Sequence, residues 1–365
     1  MKEDLLYKIA ITKIVKVGPV TARNLISYCG GVKAVFQAKK KELLKVPGVG
    51  ELTISNLLHK NVLLEAEREL KFVEKNGIQT LFFLDNDYPQ RLKHFQDSPI
   101  LLYYNGTADL NFQRIISIVG TRTPTIYGKS ICEEIVEGLA TYNVLIVSGL
   151  AYGVDVVAHQ KCVDLKIPTI GVLGHGLSQI YPTKHKRIAD QMVNCGGILT
   201  EFSSEVSIER EHFPMRNRII AGMCDGLIVI ETAQKGGSMI SAHMANNYSK
   251  DVFAVPGRLK DKYSQGCNHL IKTHKAALIE SAEDLAYIMR WDKKSDNKIV
   301  QKSLFVELSE KEQQIVSLLQ NVDDLGIDKL SKEVQLNSSK MAELMLDLEF
   351  KGIIKTLPGK RYVLV

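Results

Sequence analysis

Three short stretches of this sequence combine glycine with hydroxyl or arginine side chains, a combination that suits phosphate binding. Gly120-Thr121-Arg122 is the first, with Thr125 just after it, and Ser148-Gly149 and Gly237-Ser238 are the other two. Glycine allows sharp backbone turns that leave N–H groups open to an anion. Arginine and hydroxyl groups add further hydrogen bonds to phosphate oxygens. We therefore expect these residues to contact phosphate groups.

Two more segments supply positive charge. Arg216, Asn217 and Arg218 lie in the string His212-Phe-Pro-Met-Arg-Asn-Arg-Ile-Ile-Ala-Gly222. A buried arginine needs an anionic or carbonyl partner. One of these two arginines is therefore expected to serve the structure and the other the ligand, and the sequence leaves open which. A second basic row, after Tyr181-Pro182, contains Lys184, Lys186 and Arg187. It is interpreted as a phosphate contact, with a solvated helix face as the alternative.

No catalytic arrangement is evident. The sequence has no H-E-x-x-H, no G-x-S-x-G and no His/Cys set at metal-binding spacing. The first glycine loop is neither a dinucleotide fingerprint nor a P-loop, so we expect no cofactor, no metal and no catalytic residue. Glu201 and Glu231 follow strands but lack a clear partner. Asp155 and His159 lie one helical turn apart and read either as an acid/base pair or, preferably, as structural residues.

The loops follow predicted strands of one sheet. Near-continuous apolar strands alternate with helical stretches over residues 76–290, and they occupy 115–119, 144–147, 169–173, 197–200, 226–230 and 251–255. Such a pattern predicts an α/β fold with an extended Rossmann-like parallel sheet covered on both faces. Ligands of these sheets bind beyond the carboxyl ends of the strands, where the loops above would lie.

Composition excludes several classes. The 365 residues are 45% hydrophobic and 24% charged, as in an ordinary globular protein. No apolar run approaches the roughly 20 residues of a membrane span, and the first residues do not read as a secretion signal. The six cysteines are scattered, which favours reduced thiols. We expect a cytoplasmic protein without a membrane span.

Helical modules flank the sheet. Residues 1–75 contain two helix–glycine turn–helix segments, at 14–26 and 44–58, that resemble tandem helix-hairpin-helix (SAM-like) motifs. This module holds 14 Lys and Arg against 8 Asp and Glu, a net charge of +6. Phosphate binding and simple packing both remain open for it. A linker is predicted at 291–304 and a winged-helix module at 305–365. Its third helix, at 338–349, carries three acids and one lysine, which favours protein contact or regulation over DNA binding.

Taken together, these motifs resemble the DprA/Smf family, the DNA-processing proteins of natural transformation. The resemblance rests on Gly120-Thr-Arg122, Ser148-Gly-Leu-Ala-Tyr-Gly-Val-Asp155, Phe213-Pro-Met-Arg-Asn-Arg-Ile-Ile-Ala-Gly222, Gly237-Ser238 and Gly266-Cys-Asn268. It covers essentially the whole chain and is strongest over about 80–290. This sequence has Thr121 where the family commonly has serine, which keeps the hydroxyl.

The resemblance implies a non-enzymatic protein that binds single-stranded DNA without marked sequence preference and forms a homodimer. It further implies loading of RecA onto the strand, with displacement of single-strand-binding protein. Carried over by residue, Gly120, Thr121, Arg122 and Thr125 would form the family's phosphate pocket. One of Lys184, Lys186 and Arg187 would match a family lysine that contacts DNA.

A nucleotide-binding hydrolase is the alternative. The sheet pattern and the Gly-Gly-Ser loop are similar to those of Lonely Guy-type phosphoribohydrolases. Here the loop Lys235-Gly-Gly-Ser-Met-Ile-Ser-Ala242 lacks the Gly-Thr and the glutamate of that family's loop.

Overall fold

The computed structural model describes residues 2–292, 308–319, 325–351, 353–357, 359 and 361–364. Contacts divide the chain into two compact units, residues 1–294 and 295–365. The predicted linker lies outside the described residues except for Trp291 and Asp292.

The first unit begins with a group of six helices. They are α1 (Lys2–Thr12), α2 (Pro19–Cys29), α3 (Val32–Gln37), α4 (Lys40–Leu43), α5 (Glu51–Leu57) and α6 (Asn61–Asn76). Gly18 and Gly50 are the N-caps of α2 and α5, as the glycine turns predict. Gly48 takes a left-handed conformation with φ of 80° in the second turn, whereas Lys16 does so with φ of 63° in the first. Only the second turn therefore uses glycine where left-handed backbone favours it.

A nine-stranded sheet follows. Its strands are β1 (Gln79–Phe82), β2 (Leu101–Gly106), β3 (Ile115–Val119), β4 (Leu145–Ser148), β5 (Thr169–Val172), β6 (Gly197–Thr200), β7 (Gly226–Val229), β8 (Asp251–Ala254) and β9 (Ala277–Leu278). Their order is β1-β2-β6-β5-β4-β3-β7-β8-β9. From β6 to β9 all neighbours are parallel, while β1 and β2 add antiparallel at one edge. The predicted α/β fold with a largely parallel sheet is confirmed.

Helices cover both faces of this sheet. They are α7 (Gln90–Lys93), α8 (Ile126–Leu139), α9 (Val154–Asp164), α10 (Lys186–Cys195), α11 (His212–Met223), α12 (Gly237–Asn247), α13 (Gln265–Lys272) and α14 (Ala282–Ile288). One core contains apolar side chains of α8, α9 and α14, and another contains those of α11, α12 and α13. A third core joins α1–α6 to β1 and β2 through residues such as Leu25, Ile54 and Tyr103. The central strands β3 to β7 are thus buried on both sides, which accounts for their continuous apolar sequences.

The chain changes direction across the sheet at β3. From β3 it adds β4, β5 and β6 on one side, and it then returns to add β7, β8 and β9 on the other. The loops after β3 and β7 consequently leave in opposite directions and open a crevice between them. Open α/β sheets bind their ligands at such a switch point.

The second unit is a winged helix. Its elements are α15 (Glu310–Leu319), β10 (Leu325–Gly326), α16 (Ile327–Glu333), α17 (Ser338–Phe350), β11 (Ile354–Leu357) and β12 (Arg361–Leu364), with strand order β10-β12-β11. Ile315, Leu330 and Met341 are fully buried at its centre. The outer surface of α17 exposes Glu343 and Asp347. None of the helices described here or above is both long and apolar enough to cross a bilayer.

Candidate nucleic-acid interface

A cleft of about 670 Å³ opens at the switch point, above the carboxyl ends of β3 and β7. The fold brings together there three predicted segments that are far apart in sequence. The predicted residues that line the cleft are Gly120, Thr121, Arg122, Arg216, Asn217, Gly237 and Ser238.

The loop after β3 is held on both sides. The Thr121 amide donates to the Glu231 carbonyl oxygen at 2.7 Å, and the Thr121 carbonyl accepts from the Val154 amide at 3.1 Å. Gly153 has φ of 84°, and a Cβ there would lie 2.2 Å from the Thr121 carbonyl oxygen. Glycine is therefore required at 153 for α9 to approach this loop. The loop between β3 and α8, residues 120–125, is thus a clamped loop. It presents the exposed side chain of Arg122 to the cleft.

Arg122 lies beside aromatic rings. Its guanidinium carbon is 5.9 Å from the centre of the Phe213 ring, and the Phe213 and Tyr181 rings are 6.0 Å apart. Within the described residues no carboxylate forms an ion pair with Arg122. The cation is thus available to an anionic ligand, with two rings next to it.

Thr125 serves helix α8 instead of the cleft. Its hydroxyl accepts from the Gly128 amide at 3.0 Å and donates to Glu231 Oε1 at 2.6 Å, and its amide donates to Glu231 Oε2 at 2.8 Å. Glu231 is 3% exposed. The Glu231 carboxylate is therefore buried and holds Thr125, the N-cap residue of α8.

Arg216 is the structural arginine of the string. It is 4% exposed, and its Nη1 donates to the carbonyl oxygens of Gly149 and Val172. A Cβ at 149 would lie 2.3 Å from Nη1, so the loop after β4 needs glycine to admit the guanidinium. Burial lowers the pKa of Arg216 to about 10, and Asp155 opposes that shift. Burial likewise raises the pKa of the Asp155 carboxyl, against the effect of Arg216. The two charges thus stabilise each other under the cleft floor.

Arg218 also has a structural partner. Its Nη2 donates to Glu201 Oε2 at 2.5 Å, and both side chains are mostly buried. Both arginines of the string thus have structural partners, and the expectation that one of them contacts a ligand stays a prediction. The bond to Arg218 also gives Glu201 its partner.

Ser148 and Gly149 are placed beneath the cleft. The Ser148 side chain is fully buried and donates to the Ile118 carbonyl oxygen at 2.6 Å, so its hydroxyl does not face a ligand. Gly149 lines a small adjoining pocket that it shares with Arg122 and Tyr181. Both residues fix the floor on which the clamped loop lies.

The structural reading of Asp155 and His159 fits the geometry, although the two side chains do not bond to each other. His159 is fully buried, and its Nδ1 lies 2.8 Å from Thr169 Oγ1, not on Asp155. The Asp155 carboxylate accepts instead from the Ala151 amide at 3.3 Å. Burial, reinforced by the Arg216 charge, lowers the pKa of His159 from 6.5 to about 3. His159 is therefore neutral in the folded protein at ordinary pH.

This neutral histidine gives a pH-dependent stability. Below about pH 6.5 the unfolded chain takes up a proton at His159 that the folded protein excludes until about pH 3. The free energy of unfolding therefore has its full value above about pH 6.5. Below that pH it falls by about 1.4 kcal/mol per pH unit. We expect the free energy of unfolding of wild type to fall relative to that of His159→Gln between about pH 6.5 and pH 4. Urea unfolding of both proteins across this range measures the difference, and parallel profiles would contradict the assignment.

The basic row Lys184, Lys186 and Arg187 lies outside the cleft. All three side chains are exposed around the start of α10, where they line a separate shallow groove. Tyr181, three residues before Lys184, lines the cleft itself. The row thus follows Tyr181 closely along the chain but lines a groove of its own.

Several cleft residues were missed from the sequence, among them Arg210, Phe213 and Tyr263. Arg210 and Tyr263 lie in long loops whose path strand patterns do not fix, and Phe213 was taken only as part of its string. Thr123 Oγ1 donates to the Tyr263 hydroxyl at 2.7 Å, which ties the loop after β8 to the clamped loop. Unpaired bases stack on aromatic rings. Aromatic residues near the glycine loops are therefore the sequence signal that could have identified these positions. In the part of the chain that the structure describes, no group of three or more His, Cys, Asp or Glu side chains is arranged to hold a metal.

The fold and cleft define a class: a Rossmann-like core with an open switch-point cleft, preceded by a helical module and accompanied by a winged helix. The family model for DNA recombination-mediator protein A matches residues 79–290, and that for the DprA winged helix domain matches residues 306–360. The chain therefore belongs to the DprA/Smf family of DNA-processing proteins.

Individual members of this family also match the chain in sequence and in structure. The DNA processing protein DprA of Bacillus subtilis is 40% identical over 219 residues, which are 60% of this chain and 73% of that protein. The crystal structure of DprA from Streptococcus pneumoniae matches with a TM-score of 0.63 at 30% identity, covering 79% of this chain and 98% of that one. DprA from Helicobacter pylori matches with a TM-score of 0.54 at 30% identity, over 59% and 97% of the two chains.

Proposed function

We propose that this protein binds single-stranded DNA in the switch-point cleft, through phosphates and without reading sequence, as a recombination mediator in natural transformation. The observation that carries the proposal is the exposed Arg122, held on a clamped loop beside Phe213 and Tyr181. The solved Helicobacter pylori relative is described as having a single-stranded-DNA binding mode, which supports the same ligand here.

The groups around Arg122 suit the DNA backbone. Gly120 and Thr121 bring main-chain atoms and one hydroxyl to the cleft wall. Amides, hydroxyls and arginine bind phosphate oxygens regardless of the base attached. Binding by such groups is expected to be salt-dependent and tolerant of sequence.

The rings supply the second element of single-strand recognition. Phe213, Tyr181 and Tyr263 line the cleft, and unpaired bases stack on aromatic faces at about 1–3 kcal/mol per base. Duplex DNA keeps its bases stacked internally and cannot use these rings. A preference for single strands follows.

The strand is proposed to continue from Tyr181 to the basic row at Lys184, Lys186 and Arg187. These exposed cations come shortly after Tyr181 in the chain, and they line a groove of their own. Each phosphate neutralised there releases counterions and adds to affinity for longer strands.

A non-catalytic role is proposed because the nearby carboxylates are occupied. Glu231 caps α8 through Thr125, and Glu201 pairs with Arg218. Neither is placed to activate a water. Among the described residues, Glu201 and Glu231 are therefore not available as the base that a nucleotide hydrolase would need.

Acting as a mediator in the cytoplasm, the protein would pass its strand to RecA, displace single-strand-binding protein and work as a homodimer. The family description as a recombination mediator supports the first of these steps. The winged helix is proposed to contact protein or to regulate, because the outer surface of α17 exposes acids that repel phosphates.

The test is a salt titration of binding to labelled oligo-dT strands of increasing length and to a matched duplex. We expect tighter binding to the single strand, a strong salt dependence, and affinity that rises as the strand becomes long enough to reach the basic row. Fluorescence anisotropy of the full chain measures all three. A preference for the duplex, or no binding, would refute the proposal.

A further inference from the structure

We infer that the cleft contains a subsite for a phosphomonoester of a nucleotide, formed by Gly237 and Ser238 at the N-terminus of α12. Such a group occurs on a free nucleotide and at a phosphorylated strand end. The strand-end form rests on the proposed function, whereas the free-nucleotide form does not. This subsite is distinct from the internal phosphodiesters assigned to Arg122.

The N-terminus of α12 has no side-chain cap, a feature that it shares with other helices of the unit such as α2, α5 and α9. Its N-cap residue is Gly236, which makes no side-chain hydrogen bond, whereas Thr125 caps α8 and Ser281 caps α14. The first amides of a helix have no partner within the helix and carry its positive dipole end. Those of α12, on Gly237 and Ser238, therefore suit an anion at the cleft wall.

An independent observation comes from the Ser238 hydroxyl. The side chain is 7% exposed and lines the cleft, and its Oγ has no hydrogen-bond partner within the described residues. A buried hydroxyl without a partner is destabilising, because it has given up its hydrogen bonds to water without gaining others. A phosphate oxygen at the helix terminus would give this hydroxyl its missing acceptor.

The backbone also admits a close ligand. A Cβ at Gly237 would meet nothing within 4 Å, so the space in front of the helix terminus is open. At Gly236 a Cβ would lie 2.4 Å from Thr232 Oγ1, which shows how closely the loop after β7 folds back on itself. Glycine at these positions brings main-chain amides, not side chains, to the ligand.

The donor count favours a monoester. Two amides and one hydroxyl converge at the terminus, on Gly237 and Ser238. A terminal phosphate offers three free oxygens to three donors, and it carries more negative charge than a phosphodiester, which offers two. The cleft volume of about 670 Å³ leaves room for the attached nucleoside beside Tyr263 and Ile240.

The experiment titrates the full chain with dTMP and with thymidine by calorimetry, and it compares oligo-dT with and without a 5′-phosphate by anisotropy. Wild type, Ser238→Ala and the control Ser130→Ala are used, since the Ser130 hydroxyl contacts Glu134 on the exposed face of α8. Ser238→Ala removes an unpartnered hydroxyl, so its thermal unfolding should occur at or above the wild-type temperature.

Binding of dTMP but not thymidine, weakened about tenfold by Ser238→Ala and unchanged by Ser130→Ala, supports the free-nucleotide source. A preference for the phosphorylated strand that is lost in Ser238→Ala, without dTMP binding, supports the strand-end source. If neither dTMP nor the terminal phosphate is recognised, or if Ser238→Ala leaves both unchanged, the subsite is refuted. Loss of all oligo-dT binding by wild type would instead refute the proposed function.

Discussion

Arg122→Ala is expected to lower the affinity for single-stranded DNA about tenfold to a hundredfold, equally for all base compositions. Arg122 is an exposed guanidinium that lines the cleft, and a charge-assisted hydrogen bond contributes about 1.5–3 kcal/mol. Loss of one phosphate contact should also reduce the slope of log affinity against log salt by about 0.7. Anisotropy titrations at several salt concentrations measure both effects.

Lys129→Ala is the matched control for Arg122→Ala. Lys129 is an exposed cation on α8 that does not line the cleft, so the variant removes the same net charge elsewhere. It should leave the affinity within about twofold of wild type. Arg122→Lys should recover part of the affinity, because the charge remains while the planar guanidinium is lost. Equal losses from Arg122→Ala and Lys129→Ala would show that overall charge, not this site, governs binding.

Arg216→Met is expected to lower the free energy of unfolding by about 3–5 kcal/mol, which is enough to threaten folding at elevated temperature. Arg216 is nearly fully buried, and its loss leaves the carbonyl oxygens of Gly149 and Val172 without their donor. It also leaves the buried charge of Asp155 without its opposite. Urea unfolding followed by circular dichroism measures the change.

Two comparisons isolate the cause. Arg210→Met removes an exposed arginine that lines the same cleft, and it should change the unfolding free energy by less than about 0.5 kcal/mol. Asp155→Asn combined with Arg216→Met should be less destabilised than the sum of the two single variants, because the unpaired charge has been removed. Strict additivity, or a loss below about 1 kcal/mol for Arg216→Met, would contradict the buried charge pair.

Local sequence patterns were enough to predict the parallel strands of the sheet and the location of the loops that follow them. Continuous apolar runs such as Ile115–Val119 are buried on both faces in the structure, as expected for parallel strands between helices. The glycine strings after β3 and β7 fall at the switch point because ligand loops follow the carboxyl ends of strands. These features are local patterns, which is why sequence reasoning reached them.

The roles of the individual side chains became clear from contacts between elements that are far apart in sequence. Arg216 is held by the carbonyl oxygens of Gly149 and Val172, and Arg218 is held by Glu201. These partners lie in or just after other strands, so the sequence of the string does not reveal them. Thr125 and Ser148 match a phosphate loop in type, yet Glu231 and the Ile118 carbonyl take their hydroxyls. These partners lie 17 to 106 residues away in sequence, and strand order brings them together. Spacing along the chain reports the period of an element, whereas hydrogen-bond partners are set by contacts between elements.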